Sequence, residues 1–182
     1  MSLRNIAIIG GGSLGSALAV NLSKKQQIHL VVRSAADADE MIRTRSHPRY
    51  LPEARMPVEV TISTDLAAAL KEADLILIAT PVSAFAEVLG NIAAIRKDLP
   101  VVWGCKGFCP ASGEPLSVLA EETLGADACF GVLSGPSFAE GLVANDPTAL
   151  VVATNADFNR TLEIAEALSN DTLRAYANLD PI

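Results

Sequence analysis

Three glycines near the N-terminus have the spacing of a turn that binds phosphate groups. Gly10, Gly12 and Gly15 form the pattern G-x-G-x-x-G between a short aliphatic run, residues 6–9, and an alanine-rich segment, residues 16–20. The first glycine permits a tight turn, the second lets a pyrophosphate approach the backbone, and the third lets a helix pack closely. Free N–H groups at the helix start attract anions. This strand–turn–helix context predicts a dinucleotide-binding turn; the alternative is a glycine-rich turn without a ligand.

The end of the second aliphatic run bears on which dinucleotide binds. Folds that prefer NADH usually carry an acidic residue there, which accepts hydrogen bonds from the ribose hydroxyls. This chain has Arg33 and Ser34 instead, and its first acid is Asp37. An arginine cannot accept a hydrogen bond but pairs well with a phosphate, and Ser34 can add a hydroxyl. We therefore expect NADPH, with NADH as the other cofactor; the alternative is that Arg33 is a solvated strand-end residue.

Three later aliphatic runs are also followed by residues that could contact ligands. Ligands bind beyond the carboxyl ends of the strands in an open parallel sheet, so Pro81 and its neighbours are expected to line the cofactor trench. Lys106 could hold a phosphate or polarise a carbonyl. The turn at 134–140 could bind an anion or a polyol. Each has a simpler explanation: a proline that ends a strand, a surface lysine, and a helix cap at Ser137.

Composition narrows the class of protein. The chain has 182 residues and a formal net charge of -7, and 50% of its residues are hydrophobic. The aliphatic content excludes a disordered chain, the acidic balance argues against nucleic-acid binding, and no apolar run approaches the ~20 residues that span a bilayer. Cys105, Cys109 and Cys129 lack CxxC spacing, which indicates reduced thiols in a cytoplasmic protein. Neither His29 nor His47 has metal-ligand spacing, so no metal is expected.

Short aliphatic runs alternate with amphipathic stretches along the chain. Several runs lack polar alternation, which is typical of strands covered on both faces. The alternation predicts βαβ units and an α/β fold: a Rossmann-type doubly wound, mainly parallel sheet with helices on both faces, in one domain over residues 1–182. A loop is predicted over 46–52. The predicted strands are 6–9, 28–32, 58–62, 75–79, 101–103, 129–133, 150–153 and 173–177, and apolar stripes predict helices over 85–95, 116–123 and 158–168.

Several motifs together resemble one family. They are GGGSLGSALA at 10–19, RYLP at 49–52, WGCKG at 103–107 and LSGPSFA at 133–139, with PTA at 147–149 and YAN at 176–178. Their order is similar to that in the bacterial type of NAD(P)-dependent glycerol-3-phosphate dehydrogenase, over the whole length of the chain. The Lys-Gly pair followed by Ser-Gly-Pro-Ser-Phe-Ala is far more specific than the glycine turn.

The resemblance implies an activity and a set of contacts. The family reduces dihydroxyacetone phosphate, a phosphorylated triose, to sn-glycerol 3-phosphate with NAD(P)H for phospholipid synthesis. Together with the residues argued above, the expected cofactor-binding residues are Gly10, Gly12, Ser13, Leu14, Gly15, Arg33, Tyr50, Pro81, Lys106 and Ala139. The resemblance implies that the substrate-binding residues are Lys106, Gly135 and Ser137.

The chain departs from the family in three places. Leu14 replaces a common aromatic residue, and Cys105 replaces a usual threonine. An all-helical domain that carries the proton-donating lysine follows in the family, whereas this sequence stops just before it. We therefore expect the cofactor-binding domain alone, with weak or no turnover and an exposed apolar face near the C-terminus that could form a homodimer. The alternatives are a stand-alone NADP-binding regulatory module and another dehydrogenase of this architecture, of the ketopantoate or 3-hydroxyacid type.

Overall fold

The fold is that of a computed structural model, which describes residues 3–47, 49–136 and 138–180. Strands and helices alternate in these residues as the aliphatic pattern predicts. Crossing a bilayer takes a longer and more apolar helix than any that they form. The strands are β1 (Asn5–Ile9), β2 (Gln27–Val31), β3 (Thr61–Ser63), β4 (Leu75–Ile78), β5 (Val101–Trp103), β6 (Phe130–Ser134), β7 (Thr148–Thr154) and β8 (Leu173–Asn178); the helices are α1 (Ser13–Leu22), α2 (Ala35–Thr44), α3 (Leu66–Glu72), α4 (Phe85–Ile95), α5 (Leu116–Leu124), α6 (Ala139–Ala144) and α7 (Phe158–Ala167), with a 3₁₀ helix over Val82–Ala84.

The strands in the described residues form one sheet, in the order β3-β2-β1-β4-β5-β6-β7-β8. Neighbouring strands are parallel except β6 and β7, which are antiparallel with Val132 opposite Ala153. The chain leaves β6 and re-enters the sheet at the same edge after α6, so β7 runs back along β6. The predicted Rossmann-type doubly wound, mainly parallel sheet is confirmed, and the antiparallel pair is the feature that the sequence pattern did not show.

Strand β4 shows how the sheet is covered on both faces. Leu75 and Leu77 pack into one hydrophobic core, whereas Ile76 and Ile78 pack into a second core. Because successive side chains of a strand point to opposite faces, the two cores lie on opposite sides of the sheet. Helices α1, α2, α6 and α7 cover the first core, and α3, α4 and α5 cover the second. Burying each of these side chains stabilises the fold by roughly 1.5–3 kcal/mol.

One carboxylate ties the start of β4 to the start of β1. Asp74 Oδ2 accepts hydrogen bonds from the backbone N–H of Arg4 at 3.0 Å, and from Asn5 N and Asn5 Nδ2 at 2.9 Å each. Burial tends to raise the pKa of this carboxyl, but the hydrogen bonds from Asn5 and Arg4 outweigh it, and the pKa lies below its usual value. Asp74 N also donates to Asn5 O at 2.8 Å. An ionised Asp74 therefore fixes how β1 lies against β4.

The prediction for strand 58–62 is largely wrong, whereas the other predicted elements are confirmed. The strand is present only at Thr61–Ser63, because the preceding residues turn: Val60 N donates to Pro57 O at 3.1 Å, and Val58 is exposed. The loop predicted over 46–52 lies outside helices and strands apart from an isolated bridge between His47 and Leu51, and Pro48 lies outside the described residues. The helices predicted over 85–95, 116–123 and 158–168 correspond to α4, α5 and α7.

Strands β7 and β8 are buried on one face, whereas much of the opposite face is exposed. Leu150, Val152 and Ala175 are buried in the first core. On the opposite face, the side chain of Val151 is 39% exposed and that of Tyr176 is 57% exposed. An exposed apolar face near the C-terminal end of the described chain is thus present, as expected.

Candidate functional site

The glycine turn connects β1 to α1 at the carboxyl edge of the sheet. Gly10 has a φ of +117°, which L side chains rarely adopt, and a Cβ placed on it would lie 2.7 Å from Ala79 O. A Cβ placed on Gly15 would lie 1.9 Å from Gly10 O, so α1 packs at a distance that only glycine allows. A Cβ on Gly12 would meet nothing within 4 Å. The turn is closed around Gly10 and Gly15 and open at Gly12, which is the geometry that a bound pyrophosphate requires.

Helix α1 begins at the open side of this turn. Its N-cap is Gly12, whose carbonyl accepts a hydrogen bond from Ser16 N at 2.9 Å and which has no side chain to bond the first N–H groups. The first turn contains Ser13 and Leu14 and no acidic residue. Ser16 Oγ donates to Gly11 O at 3.0 Å and holds the turn against the helix. The N–H groups and the helix dipole are therefore available to an anion.

A cavity of about 280 Å³ opens beside the first turn of α1. It brings together five residues that the sequence pointed to: Ser13, Leu14, Lys106, Gly135 and Ala139. They come from α1, from the loop after β5, from the turn after β6 and from α6. These segments converge because the carboxyl ends of β1, β5 and β6 meet at the same edge of the sheet.

Lys106 contributes a cation to this cavity. Its side chain is exposed, and Nζ donates to Gly135 O at 3.4 Å, a long hydrogen bond that leaves the ammonium further donors. The neighbouring Gly104 lies against α1, where an added Cβ would meet Leu14 Cδ2 at 3.0 Å. Lys106 is therefore placed to bind a phosphate or ketone oxygen in the cavity.

Two residues within the turn predicted at 134–140 that were not singled out individually also line the cavity. Phe138 is exposed at the N-cap position of α6, and Glu140 lies in the first turn of that helix. Both flank Ala139, so a helix start directly after the Gly-Pro-Ser turn was the signal that could have found them. Ser137, which was expected to bind substrate or to cap the helix, lies outside the described residues, and the N-cap position belongs to Phe138.

Arg33 lies on the other side of β1 from this cavity. It follows β2, which pairs with β1 on the side toward β3, and it is exposed rather than part of the cavity lining. Ser34 is the N-cap of α2, and its Oγ accepts a hydrogen bond from Asp37 N at 3.2 Å. The Ser34 hydroxyl is thus engaged as a helix cap, which leaves Arg33 as the group at this strand end that suits a 2′-phosphate.

Tyr50 and Pro81 also lie outside the cavity lining. Tyr50 is 46% exposed in the loop after α2, and its ring centroid lies 4.6 Å from that of His47. Pro81 follows β4 and is the N-cap of the 3₁₀ helix. The hydroxyl of the adjacent Thr80 is buried with no hydrogen-bond partner in the described residues, and Thr80 Cγ2 would meet a Cβ on Gly10 at 2.9 Å. The Pro81 strand end therefore borders the glycine turn.

Cys105 is not an activated thiol, although it precedes a lysine. Burial raises the pKa of the Cys105 thiol to about 11. A nucleophilic thiol requires the opposite shift. The three cysteines are free; Cys109 is buried, and Cys105 and Cys129 are partly buried, as small apolar side chains often are.

A second cavity of about 450 Å³ lies next to the first. Trp103, Phe108 and Val151 give it apolar walls, and it reaches the uncovered face of β7. Lys106 lines both cavities and can contact ligands in either.

Comparison with known proteins places the chain in a family. The family model for the N-terminus of NAD-dependent glycerol-3-phosphate dehydrogenase matches residues 5–159. The chain belongs to this family. Membership of the glycerol-3-phosphate dehydrogenase family confirms the resemblance seen in the motifs and argues against the ketopantoate and 3-hydroxyacid types.

Curated relatives bear the corresponding enzyme name. The glycerol-3-phosphate dehydrogenase (NAD(P)+) of Dechloromonas aromatica is 39% identical over 175 residues, which cover 96% of this chain and 53% of that protein. The protein of the same name from Xanthomonas oryzae pv. oryzae is 39% identical over 184 residues, which cover 100% of this chain and 53% of that protein. The chain therefore spans about half the length of the curated relatives that it matches.

Solved structures agree with the fold. The glycerol-3-phosphate dehydrogenase of Coxiella burnetii superposes with a TM-score of 0.89 at 33% identity, over 98% of this chain and 55% of that chain. A pyrroline-5-carboxylate reductase from the same organism superposes with a TM-score of 0.71 at 15% identity, over 98% of this chain and 60% of that chain. The second likeness concerns the fold alone.

Proposed function

We propose that this chain is the cofactor-binding part of an NAD(P)-dependent glycerol-3-phosphate dehydrogenase, which reduces dihydroxyacetone phosphate to sn-glycerol 3-phosphate. The observation that carries this proposal is the cavity that joins the first turn of α1 to Lys106, Gly135 and Ala139. A cavity that combines a helix N-terminus with a lysine suits two anionic groups, the cofactor pyrophosphate and the substrate phosphate. Family membership supports the same pair of ligands.

The residues around the glycine turn fit a dinucleotide. The open space at Gly12 admits a pyrophosphate, and the uncapped start of α1 supplies N–H donors. In this proposal, Lys106 contacts both ligands. We assign cofactor binding to Gly10, Gly12, Ser13, Leu14, Gly15, Arg33, Tyr50, Pro81, Lys106 and Ala139, and substrate binding to Lys106, Gly135 and Ser137.

The chemistry divides between the bound cofactor and the protein. When bound, the reduced nicotinamide would supply a hydride for the ketone carbon, and the substrate oxygen would then require a proton. Lys106 holds a substrate oxygen as a point charge, and Leu14, Leu133 and Leu150 form an apolar wall of the cavity. No residue in this sequence matches the proton-donating lysine that the family resemblance implies. We expect the 182-residue chain to bind NADPH with little or no turnover.

The activity test mixes the chain with NADPH and dihydroxyacetone phosphate and follows the loss of NADPH absorbance. We expect binding, detected by calorimetry, without appreciable oxidation of NADPH. Rapid turnover would show that the chain contains its own proton donor. An absence of NADPH binding would overturn the assignment of the cofactor site.

The preference for NADPH depends on Arg33. We expect Arg33→Gln to weaken NADPH binding about tenfold and to leave NADH binding unchanged, because a guanidinium pairs with the 2′-phosphate. Both titrations can follow the fluorescence of Trp103, the one tryptophan of the chain, next to the cavity-lining Gly104. Arg43→Gln, which removes an exposed arginine of α2, is the matched control. Equal affinity of the unaltered chain for NADPH and NADH would remove this role from Arg33.

We further propose a cytoplasmic enzyme that supplies the glycerol backbone of phospholipids. The free cysteines support a reducing compartment, and the net charge of -7 argues against nucleic acid as a partner.

The uncovered face of β7 and β8 supports a homodimer. Sedimentation equilibrium should then show that Tyr176→Ser weakens self-association, and a monomeric unaltered chain would contradict the dimer.

A further inference from the structure

The loop over residues 45–60 is anchored to α2 by its apolar side chains. Leu51, Ala54 and Met56 are buried in the first core together with Ala38 and Met41 of α2. In contrast, Tyr50 is about half exposed. The loop is thus fixed on its inner side, and its tyrosine is available to a ligand on the outer side.

His47 organises the turn that presents Tyr50. It is only 7% exposed, and its carbonyl accepts a hydrogen bond from Leu51 N at 3.1 Å, which closes the turn. Its imidazole makes two further contacts: Nδ1 accepts from Arg49 N at 3.3 Å, and the ring lies 4.6 Å from the Tyr50 ring at an angle of 58°. One buried side chain therefore fixes both the backbone before Tyr50 and the ring of Tyr50.

The protonation state of His47 follows from these contacts. An Nδ1 atom that accepts a hydrogen bond carries no proton, so the proton of the neutral ring lies on Nε2. Burial lowers the pKa of the imidazole, whereas Asp37 raises it, Arg49 lowers it, and Glu40 raises it. Burial is the largest of these effects, so His47 is neutral at pH 7.

The His47–Tyr50 pair is influenced by charged residues of α2, the helix that follows β2. Asp37 and Glu40 of α2 and Arg49 of the turn are the charged groups that act on the His47 imidazole. Asp37 lies in the first turn of α2, whose N-cap, Ser34, directly follows Arg33. The His47–Tyr50 pair therefore lies within electrostatic reach of Asp37 on α2, the helix that begins next to Arg33, to which the proposed site assigns the adenosine phosphate.

We infer that His47 is a positioning residue, whose neutral imidazole holds Tyr50 in the orientation that contacts the adenosine part of NADPH. The inference rests on the proposed function, because it is there that Tyr50 is assigned to the cofactor. It adds that the orientation of Tyr50 depends on its contact with the His47 ring and on the Nδ1 acceptor that His47 offers to Arg49 N. Protonation of His47 removes the acceptor for Arg49 N–H and loosens the turn.

The test is a double-mutant cycle on the NADPH dissociation constant, measured by calorimetry on the whole chain. We expect His47→Ala and Tyr50→Ala each to weaken binding about threefold to tenfold, and His47→Ala to add no further loss when Tyr50 is already alanine. A merely structural role of His47 would weaken binding equally in both backgrounds. His29→Ala, which removes a partly buried histidine of β2, is the matched control and should leave binding unchanged.

A pH series separates the ring contact from the acceptor. His47→Phe keeps an aromatic ring and the buried volume but has no acceptor for Arg49 N. The 2′-phosphate itself gains a proton near pH 6, so only the difference between the unaltered chain and His47→Phe is informative. Between about pH 7.5 and about pH 5.5, we expect the unaltered chain to lose about threefold more affinity than the variant.

The outcomes distinguish this inference from the proposed function. Failure of the unaltered chain to bind NADPH would overturn both. Normal binding combined with an unchanged dissociation constant for His47→Ala, or with parallel pH profiles of the unaltered chain and His47→Phe, would overturn only the role of His47. Should His47→Ala fail to fold, as judged by circular dichroism, His47→Phe and His47→Phe/Tyr50→Ala complete the same cycle.

Discussion

The two regions of the proposed site are built in opposite ways. In the cavity region, which comprises the glycine turn and the first turn of α1, backbone segments pack so closely that a Cβ on Gly15 would lie 1.9 Å from Gly10 O. In the loop region, residues 45–60, side chains hold the backbone in place. Arg45, in the left-handed conformation with a φ of 52°, donates from Nη2 to Val60 O at 2.9 Å and from Nε to Met56 O at 3.3 Å, and also bonds Pro57 O.

The contrast shows which change damages each region. A region built from close backbone contacts fails when atoms are added, because no space exists for them. A region built from side-chain hydrogen bonds fails when atoms are removed, because carbonyls lose their donors. The cavity region is therefore sensitive to larger residues, and the loop region to shorter ones.

The largest effect is expected at Gly15. Gly15→Ala would place a methyl group 1.9 Å from Gly10 O, so α1 must move, and we expect the free energy of unfolding in urea to fall by about 3 kcal/mol or more. Gly12→Ala is the control, since its Cβ meets nothing within 4 Å and its φ of -68° suits alanine. Gly12→Ala should keep full stability and lose at least about tenfold in NADPH affinity. Unchanged affinity would show that phosphate does not bind there.

The loop region is tested by shortening its donor. Arg45→Lys keeps the charge but cannot reach several carbonyls at once, so we expect the free energy of unfolding to fall by about 2 kcal/mol. Arg55→Lys, which affects an exposed hydrogen bond to Thr44 O, should change the free energy of unfolding by less than about 0.5 kcal/mol. Equal effects of the two substitutions would show that side-chain hydrogen bonds do not hold this loop.

Replacing Lys106 should weaken ligand binding and leave the stability of the fold unchanged. The Lys106 hydrogen bond to Gly135 O is long, so Lys106→Met is expected to leave the melting temperature unchanged while weakening NADPH binding about threefold to tenfold. Lys97→Met, at an exposed position after α4, is the control for the loss of one charge. Equal losses in the two variants would indicate general electrostatic attraction rather than a contact in the cavity.

The smallest effect concerns pH and lies outside both regions. Burial lowers the pKa of His29 in β2, against the opposing influence of Asp65, and its Nε2 lies 2.7 Å from Ser63 Oγ. Because the folded pKa lies below that of the unfolded chain, stability is fully present above about pH 6.5 and decreases as the pH falls below it. Melting curves should show that acidification lowers the melting temperature of His29→Gln by about 1 °C less than that of the unaltered chain. A larger decrease in the melting temperature of the variant would contradict the expectation that His29 destabilises the fold at low pH.

Backbone-built features were the most predictable from the sequence. The glycine spacing predicts the turn because few other residue types tolerate a φ of +117° at position 10 or the close contact at position 15. The approach of Lys106 and Gly135 to α1 follows from the rule that parallel strands end at one edge. These constraints are local or topological, and each one restricts which residue types can occupy the positions concerned.

Features that depend on distant side chains were not predictable. The aliphatic residues at 58–62 look like a strand, but Arg45 bonds Pro57 O and Val60 O from more than ten residues away and holds this segment in a turn. The contact between His47 and Tyr50 likewise leaves no periodic signal. The antiparallel direction of β7 was missed because Leu150 and Val152 would be buried by either strand direction.

The carboxylate at the start of β4 has a consequence for the alignment of the whole site. Because both faces of β4 are apolar, sliding it by one residue along β1 would still bury leucine and isoleucine, so hydrophobicity alone is a poor guide to alignment. Such a slip would displace the far end of the strand by about 3.3 Å. Gly10 would then no longer face Ala79, whose carbonyl oxygen lies 2.7 Å from where a Cβ on Gly10 would be. By fixing the register of β4 along β1, Asp74 therefore sets the position of the glycine turn, one strand length away.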